Sequence, residues 1–375
     1  MRVRFIVLGL CAFASSAQAA PTASAAPAAP PAPAAPAAPA AKPATGTVTL
    51  RAVGDIVFGR HHDGVLLRFK DDLFSAAAPL LSAADLAFAN IETPIVDGPD
   101  VLPGGGRGGP VRRGLGWMRF RADPPRARAL AAAGFDIVST ANNHAYDFGA
   151  EAIPATRRHL EAAGLTTLGS GAEPATPRIL ERNGLEVGFL GATLVSNRPA
   201  DPAELSYVEP GKAAEVLGAR VRELRPRVDV VVVSLHWGVE YNQSANAGQI
   251  ALAHALVDAG ADLILGHHPH VVQGIERYKG AVIAYSLGNF VFDMAAPVKR
   301  ESMILDVTFT ASAAAGAGGR PVVAARALPM LIDRDHVPAP PPPARAAAMR
   351  AAWAKLARRF GTTGAEGEAY ALVIP

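Results

Sequence analysis

Residues 228–236 read VDVVVVSLH, and residues 261–270 read ADLILGHHPH. Each stretch contains a near-continuous apolar run, which predicts buried strands at Val228–Leu235 and Ala261–Leu265 that lead directly into histidines. A helical pattern over Asn246–Gly260 separates the two strands. Strands that are buried on both faces and connected by helices indicate a sheet covered on both sides, and therefore an α/β architecture.

The same alternation continues on both sides of this stretch. The further predicted elements are strands at Thr47–Val53, Leu86–Ile91, Asp136–Ala141 and Ser302–Thr310 and one through Ser286, helices at Asp71–Ala84, Pro124–Gly134, Gly149–Gly164 and Gly211–Arg227, and a hairpin at Arg178–Thr193 around Asn183-Gly184. We place one folded domain at residues 47–335. Residues 336–375 are predicted to form a proline-rich segment and a peripheral C-terminal helix.

The N-terminal part of the chain has a different composition. Residues 1–19 combine a basic start, an apolar stretch and the cleavage pattern Ala17-Gln18-Ala19, which predicts a secretory signal peptide. The alternative is an uncleaved membrane anchor, although the apolar stretch Phe5–Ala14 is shorter than the ~20 residues that span a bilayer. Residues 20–46 are rich in alanine and proline and offer little area to bury, so we expect an extended linker.

Composition also limits the chemistry and the partners. The single cysteine, Cys11, would be lost with the signal peptide, so any metal must be held by nitrogen and oxygen ligands. The formal net charge of +3 is too small to indicate nucleic-acid binding. No run of strongly apolar residues is long enough for a polytopic membrane protein. We therefore expect an exported protein, periplasmic or associated with the cell envelope, with no transmembrane span after cleavage.

Polar side chains follow the predicted strands where each strand ends. They are Asp55, Glu92, Asn143, His144, His236, His268 and His270. Ligands bind at this edge in open α/β sheets. One histidine at a strand end is more often structural, but several together with two carboxylates and an amide favour a metal centre. Such ligands suit Mn, Fe or Zn, and two ions about 3.5–4 Å apart supply what phosphoester hydrolysis needs.

Six short motifs occur in a fixed order. They are Ala52-Val53-Gly54-Asp55, Asn90-Ile91-Glu92, Ala141-Asn142-Asn143-His144-Ala145-Tyr146-Asp147, Ser234-Leu235-His236-Trp237-Gly238, Gly266-His267-His268-Pro269-His270 and Tyr285-Ser286-Leu287-Gly288-Asn289-Phe290. Together they resemble the CapA family of bacterial capsule (poly-γ-glutamate) synthesis proteins, a divergent branch of the calcineurin-like metallophosphoesterases. The resemblance covers roughly residues 47–310. It implies a four-layer α-β-β-α sandwich with a dinuclear metal site at the sheet edges.

The resemblance also implies roles for single residues. The implied metal ligands are Asp55, Glu92 as the bridging carboxylate, Asn143, His236, His268 and His270. His144 would contact phosphate or donate a proton, and Asp147 would either orient His144 or cap a nearby helix. His267 competes with His268 as a ligand, and His267, Arg60 and Asn289 are the candidates for substrate binding.

Two positions depart from the ordinary phosphoesterase pattern. Val57 stands where a histidine usually follows the first aspartate, and Glu92 stands where an aspartate normally bridges. The first departure leaves occupancy by two ions open. Gly104–Gly109 formally match a dinucleotide-binding pattern, but they neither close a strand nor open a helix. They lie in a long loop, Asp97–Met118, that is either solvated or, through its arginines, in contact with an anionic polymer.

Two functions from different classes remain open. One is an exported, metal-dependent hydrolase that acts on a phosphoester or an envelope polymer with metal-activated water. The other is a non-catalytic accessory protein that binds or guides an anionic envelope polymer, such as polyglutamate, during capsule assembly or export. Both hypotheses allow capsule-synthesis membrane proteins as partners, and neither involves nucleic acid.

Overall fold

A computed structural model describes residues 46–62, 65–98, 119–171, 175–197, 205–311 and 320–362, with two further short strands near the C-terminus. For residues 61, 62 and 65–68 and for those two strands, only the backbone is described. The predicted signal peptide, nearly all of the linker and the Gly104–Gly109 motif lie outside these residues. Within the described part of the chain, no helix has the length and apolar character needed to cross a membrane.

Strands and helices alternate along most of the described chain. The strands are β1 (Thr47–Ile56), β2 (Gly59–His62), β3 (Val65–Arg68), β4 (Leu86–Ile91), β5 (Arg119–Phe120), β6 (Ile137–Ser139), β7 (Thr166–Leu168), β8 (Arg178–Arg182), β9 (Leu185–Thr193), β10 (Val230–His236), β11 (Leu263–His267), β12 (Ile275–Tyr278), β13 (Ala281–Ala284), β14 (Asn289–Val291), β15 (Glu301–Thr310), β16 (Val322–Ile332), β17 (Pro338–Ala339), β18 (Ala365–Glu366) and β19 (Leu372–Val373). The helices are α1 (Ala78–Leu81), α2 (Pro125–Ala132), α3 (Ala152–Ala162), α4 (Ala213–Leu224), α5 (Ala247–Ala259) and α6 (Pro343–Arg358).

Two large sheets form the centre of the domain. The first has the strand order β18-β19-β16-β15-β1-β4-β6-β7, with β14 beside β1 and β17 beside β16, and the second has the order β12-β13-β11-β10-β9-β8. Strands β1, β4, β6 and β7 are parallel, and so are β9, β10, β11 and β13. The C-terminal ends of the parallel strands in each sheet therefore lie at one edge.

Three apolar clusters define the layers. Phe88 of β4 and Phe189 of β9 belong to a cluster that contains residues of both sheets, so the sheets pack face to face. Leu130 of α2 and Leu160 of α3 pack in a second cluster with residues of the first sheet. Leu217 of α4 packs with α5 and the second sheet in a third cluster. The order helix, sheet, sheet, helix confirms the predicted four-layer α-β-β-α sandwich.

The structure confirms the predicted hairpin but not the predicted helix at residues 71–84. The hairpin is confirmed, because β8 pairs with β9 across Asn183 and Gly184, whose positive φ angles of 52° and 83° suit a two-residue turn. The predicted helix over Asp71–Ala84 is wrong for most of its length, since only Ala78–Leu81 is helical. Pro79 explains the difference, because proline fits the first turn of a helix but not its interior.

The C-terminal helix α6 is more than a peripheral element. Met349 and Trp353 are only 1% and 2% exposed, and both belong to the cluster between the two sheets. The alanine-rich sequence around them favours a surface helix, but these two large side chains lie on one face and carry it into the core. The helix therefore contributes to the hydrophobic core of the described domain.

Candidate metal centre

The strand ends carry most of the predicted site residues. Asp55 lies near the end of β1, Glu92 follows β4 directly, and His236 ends β10. His268 and His270 follow β11. Because these strands end at corresponding edges of two sheets packed face to face, their side chains converge at one place.

Two glycines allow the backbone of the site to pack closely. A Cβ atom on Gly54 would overlap the carbonyl oxygen of Gly288, and one on Gly266 would overlap the carbonyl oxygen of Tyr285. Glycine at both positions therefore lets the segment that leads to Asn289 pass close to β1 and to β11. This close approach explains the glycines in two of the six motifs.

Asp55 is fully buried and surrounded by donors. Its Oδ2 lies 3.2 Å from His270 Nδ1 and accepts the backbone N–H of His268 at 3.1 Å, and its Oδ1 lies 3.3 Å from His267 Nδ1. Asn90 Nδ2 donates to Oδ1 at 2.8 Å. Burial alone would raise the pKa of Asp55, but the hydrogen bonds and charges of His267 and His270 outweigh it and hold the pKa well below its usual range.

Glu92 has the opposite environment. Both of its carboxylate oxygens are buried, and neither has a hydrogen-bond donor among the described residues. Its Oε1 lies 3.5 Å from His236 Nε2 and 3.8 Å from His270 Nε2. Burial, followed by the negative charges of Asp55 and Glu240, raises the pKa of Glu92 well above its usual value. A buried carboxylate without donors is costly, and a bound cation is the group that would relieve this cost.

Glu92 belongs to two groups of possible metal ligands. Asp55, Glu92 and His270 form one group, and Glu92, His236 and His268 form the other; within each group the ligand atoms lie within 4.8 Å of one another. The donors are carboxylates and imidazoles, which suit divalent transition metals. The residues therefore fit a centre in which one carboxylate faces two ion positions.

The histidines and the amide of the second group are suited to ligation. Asn143 Oδ1 lies 2.7 Å from His236 Nε2, which adds an amide oxygen to that group. Burial, followed by the charge of neighbouring histidines, lowers the pKa of His236 well below its usual value and that of His268 to about 3. Both imidazoles are therefore neutral near pH 7, the form that binds a metal.

The two candidate ligands after β11 have strained backbones. His268 and His270 have φ angles of 94° and 56°, in a region that residues other than glycine rarely adopt. Such conformations cost about 1–3 kcal/mol each and are concentrated at functional sites. The hydrogen bond from the His268 backbone to Asp55 helps to hold this conformation.

His144 and Asp147 form a pair beside the two ligand groups. His144 Nδ1 lies 2.7 Å from Asp147 Oδ2, and the same oxygen accepts the backbone N–H of Phe120 at 2.7 Å. The ring of Phe120 packs against His144 with a centroid distance of 4.0 Å. Glu151, rather than Asp147, occupies the N-cap position of α3. Asp147 therefore orients His144, and the capping alternative does not hold.

The three candidates for substrate binding have other contacts. Asn289 accepts a hydrogen bond from His270 Nδ1 at 2.9 Å and donates to the carbonyl oxygen of His270 at 3.1 Å, so it positions that histidine. His267 is 1% exposed and packs near Phe88 in the interior. Arg60 Nη2 forms an ion pair with Asp293 at 2.6 Å. Burial places Asn289 and His267 behind the ligands rather than in the cleft.

A small cleft opens onto the centre. Asn143, His144 and His270 line it together with Glu240 and Tyr241, two residues that the sequence did not single out. The only sequence signal for this pair is its position directly after the motif that contains His236. The cleft therefore has an acidic and an aromatic side chain in its wall.

The asparagines of the motifs tie the loops together. Asn90, which donates to Asp55, also lies 3.4 Å from His236 Nδ1. Asn142 donates to the carbonyl oxygen of Ile91 at 2.8 Å and accepts the backbone N–H of His144 at 3.1 Å. Neither asparagine was among the predicted site residues, although both lie inside the quoted motifs.

The fold and the site define a class: a four-layer α/β sandwich with a carboxylate and imidazole centre at its sheet edges. Residues 49–294 match the family model described as "Bacterial capsule synthesis protein PGA_cap". The chain belongs to this family of bacterial capsule synthesis proteins. This membership confirms the resemblance stated from the motifs.

Three known proteins illustrate the similarity. The chain is 34% identical over 257 residues to the capsule biosynthesis protein CapA of Bacillus anthracis, covering 66% of this chain and 60% of that protein. It is 31% identical over 270 residues to the PGA biosynthesis protein CapA of Bacillus subtilis (strain 168), covering 68% of this chain and 65% of that protein. The chain thus spans less than two thirds of these relatives. A solved 5'-nucleotidase precursor from Thermus thermophilus superposes with a TM-score of 0.42 at 16% identity, covering 82% of this chain and 58% of that one.

Proposed function

We propose that this protein is a metal-dependent hydrolase of phosphoester type that acts in the biosynthesis of capsule or poly-γ-glutamate. The observation that supports it most is the position of Glu92, a buried carboxylate without donors among the described residues that belongs to both ligand groups. Two ions held by a shared carboxylate are a recurrent arrangement in enzymes that hydrolyse phosphoesters. A purely structural role would not require these polar groups to be buried together.

The ligands divide between two ion positions. Asp55, Glu92 and His270 would hold one ion, and Glu92, Asn143, His236 and His268 would hold the other. Mn, Fe and Zn suit this mixture of nitrogen and oxygen donors. When bound, two such ions supply a water that is nucleophilic near neutral pH and positive charge beside the phosphoryl group.

His144 and Asp147 would handle the proton of the reaction. Asp147 accepts the hydrogen bond from Nδ1, which leaves Nε2 of His144 as the atom available to the cleft. In the imidazolium form of His144, which carries a proton on both ring nitrogens, Nε2 would donate its proton to the leaving oxygen. The contact with Phe120 fixes the plane of the ring, so the donor direction is set before the substrate binds.

The family and the N-terminal sequence support a role at the cell envelope. The two relatives are named for capsule and PGA biosynthesis, and residues 1–19 have the pattern of a secretory signal. We therefore place the protein outside the cytoplasm, in the periplasm or at the envelope. Its substrate there would be a phosphoester or an anionic envelope polymer, and its partners would be capsule-synthesis membrane proteins.

The test combines metal analysis with a hydrolysis assay on the purified chain. We expect about two divalent ions per chain and hydrolysis of p-nitrophenyl phosphate or bis(p-nitrophenyl) phosphate. His144→Ala and His236→Ala should abolish hydrolysis, whereas His159→Ala, a change in α3 away from the cleft, should not. Full activity in His144→Ala and His236→Ala, or a wild-type chain that binds no ion, would refute the proposal.

A second function is favoured by one residue that contacts the wall of the cleft at Tyr241. Lys299 Nζ lies 3.1 Å from the centre of the Tyr241 ring, so a positive charge lies next to a residue of the cleft. A displayed cation suits an accessory protein that binds an anionic polymer without cleaving it. Binding of poly-γ-glutamate that persists in the absence of divalent ions, and weakens in Lys299→Ala, would support this function over hydrolysis.

A further inference from the structure

The two ligand groups of the centre are unequal. The group with His236 has four protein ligands when Asn143 is included, whereas the group of Asp55, Glu92 and His270 has three. Val57, two residues after Asp55, cannot supply the fourth ligand, because its apolar side chain is fully buried in the cluster under the first sheet. The described residues therefore offer one ligand fewer to the ion position at Asp55 than to the other position.

Glu240 lies beside one histidine of each ligand group. One carboxylate oxygen of Glu240 and one ring nitrogen each of His268 and His270 lie within 4.8 Å of one another. Glu240 is half-buried and lines the cleft, so it approaches the two histidines from the solvent side. Asp55 and Glu92, by contrast, are completely buried. Nothing in the motifs assigns a role to Glu240.

The loop that carries Glu240 is fixed to the loop that carries the histidines. Trp237 donates its backbone N–H to the carbonyl oxygen of His267 at 3.1 Å, and Tyr241 donates to that of Pro269 at 2.8 Å. Gln273 Nε2 donates to the carbonyl oxygen of Asn242 at 2.7 Å. These bonds bracket Glu240 on both sides, so its direction is set by the fold rather than by solvent.

A second observation points to a ligand at the same place. His268 is only 5% exposed, and its Nδ1 has no hydrogen-bond partner among the described residues. A buried polar atom without a partner is uncommon in a folded protein, and a bound ion or water often satisfies such an atom. This atom belongs to one of the two histidines that Glu240 approaches.

We propose that Glu240 is a third carboxylate ligand of the metal centre, which binds from the cleft side beside His268 and His270, one histidine from each ligand group. This inference rests on the metal centre of the proposed function. With Glu240 included, three carboxylates face two divalent ions, so the centre keeps a net charge of about +1 for an anionic substrate. The added oxygen donor also favours Mn over Zn at this position, because carboxylates suit Mn and imidazoles suit Zn.

The experiment measures ion binding rather than activity. The purified, metal-free chain is titrated with MnCl₂ by calorimetry and by electron paramagnetic resonance. The variants are Glu240→Gln, Glu240→Asp and the control Glu215→Gln, which changes an exposed glutamate of α4. We expect Glu240→Gln to weaken one of two ions by about 10- to 100-fold, Glu240→Asp to weaken it less, and Glu215→Gln to match the wild type.

Three outcomes would overturn the proposal. The first is a Glu240→Gln chain that binds both ions as tightly as the wild type. The second is loss of the weaker ion in His267→Ala while Glu240→Gln is unaffected, which would make His267 the missing ligand. The third is a wild-type chain that binds no ion, which would remove the proposed function as well. A chain that binds two ions, loses one in Glu240→Gln, and hydrolyses nothing would refute only the proposed function.

Discussion

Glu92→Gln tests whether one carboxylate serves two ions. The substitution keeps the size of the side chain but removes its charge. In the wild type, Glu92 Oε1 lies 3.5 Å and 3.8 Å from nitrogen atoms of two histidines that belong to different ligand groups. The change therefore affects both ion positions, whereas Asp55→Asn and His236→Ala each affect one.

Electrostatics gives the expected size of the effect. Two divalent ions about 4 Å apart repel each other by roughly 17 kcal/mol at an effective dielectric constant of about 20. A carboxylate that faces both ions offsets this repulsion more than any ligand of one ion alone. We therefore expect Glu92→Gln to reduce the metal content from about two ions to at most about one per chain.

Without metal, Glu92→Gln should not destabilise the protein, in contrast to its loss of ion binding. Both oxygens of Glu92 are buried without donors among the described residues, and burial raises the pKa of this group. Glutamine has nearly the same shape as glutamate and carries no charge, so the variant does not bear the cost of burying a carboxylate. The free energy of unfolding of metal-free Glu92→Gln should thus equal or exceed that of the wild type.

The assay combines metal analysis after gel filtration with urea denaturation of the metal-free chains. Asp55→Asn and His236→Ala are the comparison variants, since each should retain more metal than Glu92→Gln. A Glu92→Gln chain that still holds about two ions with wild-type affinity would refute the shared position. So would a metal-free variant that is clearly less stable than the wild type.

Three further predictions follow from the geometry. Asp147→Asn should lower kcat about 10- to 100-fold and shift the pH profile of hydrolysis, because it removes the acceptor that orients His144; an unchanged profile contradicts this. Gly54→Ala should lower the free energy of unfolding by about 3 kcal/mol, measured in urea, because a Cβ overlaps backbone; a wild-type value contradicts this. The metal-free protein should lose stability from pH 7 to pH 5, by up to ~1.4 kcal/mol per pH unit for each histidine, because His236 and His268 take up protons only when unfolded. The raised pKa of Glu92 opposes this loss by at most the contribution of one histidine, because Glu92 holds a proton only when folded. The slope should be shallower in His268→Gln, and a pH-independent wild type would refute the assignment.

Much of the centre could be predicted because strand ends are visible in the sequence. Asp55, Glu92 and His236 come where an apolar run stops, and parallel strands bring such positions to one edge. The hairpin at Asn183-Gly184 was predictable for a similar local reason, since its turn residues have a specific conformational role.

Other features depend on contacts between distant residues. Glu240 and Tyr241 lie in a loop whose direction is set by hydrogen bonds to the segment after β11, and no local pattern reports such bonds. Strand β16 contains Pro329 and has an irregular burial pattern, so its pairing with β15 was not predicted. The burial of Met349 and Trp353 was not predicted either, because their partners in the core are distant in sequence from the alanine-rich helix that carries them.

The substrate candidates show the limit of assigning roles by position alone. His267 directly precedes His268, and Asn289 lies in a separate motif, but the structure places them against Asp55 and His270 and not among the residues that line the cleft. Proximity along the chain does not distinguish a side chain that faces a cleft from one that supports its neighbour. Only the packing of the two sheets makes this distinction.

The most direct test of the central claim is one hydrolysis measurement on a sample of known metal content. The purified chain is assayed with bis(p-nitrophenyl) phosphate as isolated, after chelation, and after Mn²⁺ is added back, with ions per chain determined each time. We predict that hydrolysis is lost with the ions and returns with them, and that Glu92→Gln stays inactive throughout. A chain that carries about two ions and hydrolyses no phosphoester would contradict the account.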